Sequence, residues 1–137
     1  MTANIVYEGD LRTIATHHTS QSIIESDAPI DNAGKGERFS PTDLVATALG
    51  SCMLTVMGIK ARELGINMKN ATASIEKIMV PNPRRIGTIK VHIYFPAHII
   101  VDEKQKVILE RTALHCPVHK SLHPDITCDI VFKWEGI

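Results

Sequence analysis

Apolar residues alternate with turn formers near the N-terminus, so Ile5 to Glu8, Leu11 to His17 and Gln21 to Glu25 read as short strands of an antiparallel meander. Asp27 to Gly36 is the longest stretch rich in turn formers and predicts a loop rather than a domain linker. The period then changes. Leu44, Val45, Ala48, Leu49, Cys52, Met53, Val56, Met57 and Ile59 are apolar over more than one helical face, which predicts a central, nearly enclosed helix. Its start is written in Ser40-Pro41-Thr42-Asp43: Ser40 as N-cap, Pro41 at the first helical position, Asp43 returning a carboxylate to the cap. The helix is expected to run to Gly65. Thr72 to Val80 and Thr88 to Phe95 form a second strand pair around PNPRRIG, too long a connection for a tight hairpin. A second helix starts near Asp102, with Gln105 three residues on, and Pro117 breaks it or opens a further short turn. Finally Ile126, Cys128, Ile130, Phe132 and Trp134 alternate with Thr127, Asp129, Val131 and Lys133, the pattern of a half-buried strand. Strands, long helix, strands, helix, strand predict one α+β domain over residues 1–137.

Charge narrows the choice of partners. Fifteen basic and fifteen acidic residues cancel, so nothing points to nucleic acid or an anionic membrane. The N-terminus has no basic stretch followed by an apolar one, and no uninterrupted apolar run approaches the roughly 18 residues of a membrane span, so a cytoplasmic protein is expected. Three cysteines in a reducing compartment make any disulfide transient and catalytic rather than structural.

Those cysteines lie in unlike contexts. Cys128 falls on the apolar face of the last strand, where cysteine acts as a small hydrophobe. Cys52 lies twelve residues past the N-cap, about 18 Å along the axis and out of reach of the helix dipole, so a thiolate there needs a cation from elsewhere. The candidates are Arg38, just before the helix, and Arg12, on the second strand. Cys116 precedes Pro117 and is flanked by His115, His119 and Lys120, an activating neighbourhood, so local sequence leaves the attacking and resolving roles open. His115, His119 and His123 recur every four residues and with Cys116 suggest a metal site, but Pro117 and Pro124 interrupt the helix and no metal is assigned. AGKGE lacks both the glycine spacing and the Lys-Ser/Thr ending of a phosphate loop.

SPTDLVATALGSCM resembles the central-helix motif of the OsmC/Ohr family, ALHCPVHKSL followed by ITCDIVFKW is similar to its second-cysteine motif and closing strand, and YEGD is similar to its opening. The resemblance covers nearly the whole chain. It implies antiparallel strands around a long central helix, an interlocked homodimer, and a thiol peroxidase reducing organic hydroperoxides with an external dithiol as reductant and no cofactor. Carried over, Cys52 is peroxidatic and Cys116 resolving. The catalytic arginine is implied at Arg38 by OsmC-like members, which is favoured, and at Arg12 by Ohr-like members. The family's partner glutamate, ten residues before the cysteine, is replaced by Thr42; Asp43 or Glu37 is expected to substitute. The missing glutamate keeps open a small-molecule or thiol-ligand binding protein without catalysis, and the Cys/His spacing a metal-binding module. Met53, Met57 and Phe39 would supply an apolar substrate wall, although methionines on a buried helix also read as core.

A helix apolar on several faces needs more cover than one chain supplies, which also predicts a homodimer. Asp43 starts about 14 Å along the axis from Cys52, so a composite site is expected, with Arg38 supplied by the partner.

Overall fold

The computed structural model describes residues 1–135; Gly136 and Ile137, the end of the expected domain, lie outside the described residues. The chain forms two compact units, Met1–Val45 and the chain from Ala46 onward.

The first unit is the expected meander. Strands β1 (Ala3–Gly9), β2 (Arg12–His17) and β3 (Ile23–Asp27) pair antiparallel in that order. The third strand reaches two residues further than expected, because Arg12 pairs in register with Asp27. A single 3-10 turn, Ile30–Asn32, lies in the loop that follows. This sheet leaves large apolar side chains open to solvent, among them Ile5, Val6, Tyr7, Ile23 and Ile24.

Helix α1 (Pro41–Glu63) starts as its sequence requires. The Ser40 N–H donates to Asp43 Oδ2 at 2.9 Å and the Asp43 N–H to Ser40 Oγ at 3.0 Å, a reciprocal cap. It ends two residues short of the expected Gly65. There the Ile66 N–H donates to Ala61 O and the Gly65 N–H to Arg62 O, with Gly65 at φ 70°, the left-handed turn that glycine adopts without strain. The expected enclosure is corrected: Ala46, Leu49, Gly50, Met53, Met57 and Ala61 are buried on one face. A second stripe, Val45, Ala48, Cys52, Val56 and Ile59, follows the same helical spacing yet is only half-buried or open, with Ile59 57% exposed. Polar Thr and Ser interrupt the apolar run, but an 18-residue window still has mean hydropathy 1.6, so by length and composition α1 is apolar enough to cross a membrane, which the sequence reading did not expect. A core helix passes the same test, and α1 packs as one.

In the second unit, β4 (Thr72–Val80) and β5 (Arg85–Phe95) make an antiparallel hairpin whose connection is only Pro81 to Arg84, tighter than expected. Helices α2 (Glu103–Leu114) and α3 (Pro117–Ser121) carry the chain to β6 (Thr127–Trp134), which pairs with β5 in parallel. The wholly antiparallel arrangement is therefore corrected: a helical crossover brings the chain back in the direction it left, and parallel strands need such a crossover. Strand β5 is central, and Ile89, Val91, Ile93 and Phe95 are fully buried on one face. Burying each contributes about 1.5–3 kcal/mol. Phe95 stacks on Trp134 at 3.6 Å between centroids, while Trp134 Nε1 donates to Glu110 on α2 at 2.9 Å. Gly50 brings α1 down onto β4: a Cβ there would overlap the Ile75 side chain. This close approach sits two residues before Cys52.

Candidate active site

All three cysteines are free thiols. Asp102 caps α2 by accepting from the Gln105 N–H at 2.8 Å, and after Leu114 the chain turns so that Cys116 becomes the N-cap of α3, with Pro117 as its first residue. A cysteine at that point takes the capping acceptor's role: the His119 N–H donates to Cys116 Sγ at 3.4 Å. Cys116 is fully buried, Cys52 partly open, and Cys52 is the titratable neighbour that acts on the Cys116 thiol. Residues far apart in sequence thus form one dithiol. Burial pushes the Cys116 thiol up, the His119 N–H opposes this, and the nearby Cys52 reinforces it. The net shift favours the protonated form of the Cys116 thiol. Cys128, in register with Ile89 at the edge of the core, has its thiol pushed up by burial alone and packs as the small hydrophobe expected.

In the first unit, Arg12 is a cation held at two points. Arg12 meets Asp27 through two parallel bonds, Nε to Oδ1 at 2.7 Å and Nη2 to Oδ2 at 2.8 Å. Asp27 is 1% exposed; its carboxylate also accepts the Glu37 N–H at 3.2 Å, and its own N–H donates to Phe39 O. The bond from Arg12 holds the Asp27 carboxyl below the usual carboxylate range and raises the guanidinium in turn. Glu37 Oε2 stands 3.7 Å from Arg12 Nη2. Arg38 is more open, donating through Nε to Glu25 and through Nη1 to Glu37 O.

Of the expected site residues, Cys52 and Cys116 are brought together. Asp43 serves the helix cap, and the carboxylate that takes Arg38 Nε is Glu25 rather than Asp43 or Glu37. Met53 and Met57 are fully buried in the core, so the apolar wall expected of them is corrected to packing; their positions on α1 turn them toward the sheet. Phe39 is 54% exposed and remains accessible. His115 Nδ1 is paired with Arg111 O and His123 Nδ1 with the Asp125 N–H, and among the described residues no three His, Cys, Asp or Glu gather to hold a metal. Sequence reading missed Asp27. The signal was the hairpin register, which sets an acid directly across from Arg12.

Comparison with known proteins agrees with this architecture. Over 96% of this chain and 95% of the other, the structure matches a proposed osmotic stress induced and detoxification response protein of Psychrobacter arcticus 273-4, with 48% identity and a TM-score of 0.92. An organic hydroperoxide resistance protein OsmC of Legionella pneumophila shares the fold at 13% identity, with 97% of each chain covered and a TM-score of 0.74. OhrB, the organic hydroperoxide resistance protein of Bacillus subtilis, shares it at 16% identity, covering 97% and 98% of the two chains with a TM-score of 0.68. None of the curated proteins matches this chain. The family model described as OsmC-like protein matches residues 34–131, a span that contains α1, both thiols of the pair and the first part of β6, and the chain belongs to the OsmC/Ohr family.

Proposed function

We propose that this protein is a cytoplasmic thiol peroxidase that reduces organic hydroperoxides, with Cys52 as the attacking thiol and Cys116 as the resolving one, in a single OsmC-like domain. The observation that carries this reading is the Cys52–Cys116 pair itself: one thiol partly open, the other fully buried, the first close enough to raise the second. The Cys52 thiolate attacks the hydroperoxide; a sulfur–oxygen bond forms, the O–O bond breaks, and the alkoxide leaves as the alcohol by taking up the proton the Cys52 thiol gave up. Cys116 then displaces the hydroxyl of the sulfenic acid as water, and an external dithiol returns both sulfurs to thiols by exchange. Arg12 is proposed as the cation that stabilises the thiolate and the departing oxygen. The rigid fork holding it on buried Asp27 supports it over Arg38, since a guanidinium fixed beforehand loses less freedom in the transition state.

The test is consumption of an organic hydroperoxide such as cumene hydroperoxide with a dithiol reductant, followed by peptide mapping after mild oxidation. Turnover together with an intrachain Cys52–Cys116 disulfide is expected. Binding without turnover would instead identify a non-catalytic binder.

We further propose a homodimer. The open apolar stripe of α1, with Val45, Val56 and Ile59, and the exposed apolar positions of the first sheet each leave surface that a second copy would cover. Sedimentation at micromolar concentration is expected to give twice the 15.1 kDa chain mass; a monomer excludes the assembly.

A further inference from the structure

One buried polar atom on α3, the helix that Cys116 caps, stands without a partner. His119 Nδ1 is buried and makes no hydrogen bond, alone in this among the described side-chain nitrogen and oxygen atoms. Buried polar atoms are ordinarily paired, so an orphan calls for an explanation. The neighbouring imidazoles offer a contrast, since His115 and His123 are exposed and each uses Nδ1 in a hydrogen bond.

His119 is the third residue of α3, one turn from the N-cap Cys116, and its backbone N–H already touches Cys116 Sγ. Cβ atoms on a helix tilt toward its N-terminus, here the end that Cys116 caps, and Nδ1 is the ring nitrogen nearer the backbone. Cys116 has the complementary need. It is fully buried, with its thiol pushed up by that burial, yet must lose its proton to attack another sulfur.

We propose that His119 Nδ1 is the base that accepts the Cys116 proton as that thiol closes the disulfide with Cys52. The inference rests on the two-cysteine reading above. The Cys116 S–H bond breaks with its proton passing to Nδ1, the freed electron pair forms the bond to Cys52 sulfur, and the S–O bond of the sulfenic acid breaks. The hydroxide released takes the proton back from His119 and leaves as water, so the ring ends neutral. The substrate hydroperoxide is the only oxidant.

The step is testable without peroxide. In a Cys128→Ser background, dithionitrobenzoate loads Cys52 with a first release of thionitrobenzoate; the second release reports attack by Cys116, whose sulfur bonds to Cys52 while the coloured thiolate departs with the electron pair. His119→Gln is expected to slow the second release by roughly 100-fold and leave the first unchanged. In His119→Gly, added imidazole is expected to restore most of the second rate, a rescue that lost packing would not show. An unchanged second phase in His119→Gln, or a slow phase in His119→Gly that imidazole does not lift, overturns the assignment. A wild-type protein that shows the His119 dependence but consumes no hydroperoxide overturns the peroxidase reading and leaves this one standing.

Discussion

Cys52→Ser is expected to reduce hydroperoxide consumption to the uncatalysed background, while Cys128→Ser stays within about threefold of the parent. The difference follows from where the sulfurs sit. A hydroxyl at position 52 lacks the nucleophilicity and the redox chemistry on which every later step depends, whereas Cys128 contributes only volume at the edge of the core. Cys116→Ser separates the two halves of the cycle: a first equivalent of peroxide is consumed, then the sulfenic acid persists because no thiol displaces its hydroxyl. Trapping that acid with dimedone and weighing the adduct checks the assignment. Equal losses in the Cys52 and Cys128 variants would reject it.

The sequence carried the elements with little ambiguity where a local rule acts alone. The cap at Ser40 to Asp43, the Asp102 and Gln105 box and the alternation through β6 all appear as read, because each depends on residues within a few positions. The direction of β6 was not legible. It depends on the path of α2 and α3, and the alternation of Cys128, Ile130 and Phe132 is the same in parallel and antiparallel pairs. The burial of α1 was overread for a related reason: apolar composition says that a face avoids water, not which chain covers it. Cys52 and Cys116 came forward through motif strings, but their contact rests on tertiary packing that no local pattern contains. Asp27 was lost to the loop because β3 was ended at Glu25, although extending the register by two pairs places it opposite Arg12.

Between the two arginines the expected effects are very different. Arg12→Ala is expected to lower kcat/KM for an organic hydroperoxide by about 100-fold, the scale on which removal of one preorganised donor acts. Arg38→Ala should cost less than about fivefold, because an exposed pair such as Arg38 with Glu25 is solvated and loosely held. Asp27→Asn supplies the control. It keeps a side chain of the same shape that still accepts one bond from Arg12 but removes the charge that orients the fork, so activity should fall between the parent and Arg12→Ala. Arg12→Lys keeps the charge and loses the two-point geometry, and it should therefore resemble Arg12→Ala in rate while binding substrate nearly as well. Circular dichroism and thermal melting of each variant separate loss of chemistry from loss of the first sheet, since Asp27 also ties β3 to Glu37 and Phe39. A folded Arg12→Ala protein that turns over normally, with Arg38→Ala inactive, transfers the role to Arg38. In that case heterodimers of Cys52→Ser with Arg38→Ala subunits become the decisive measurement, because recovered activity would mean that one subunit's thiolate is served by the other's arginine.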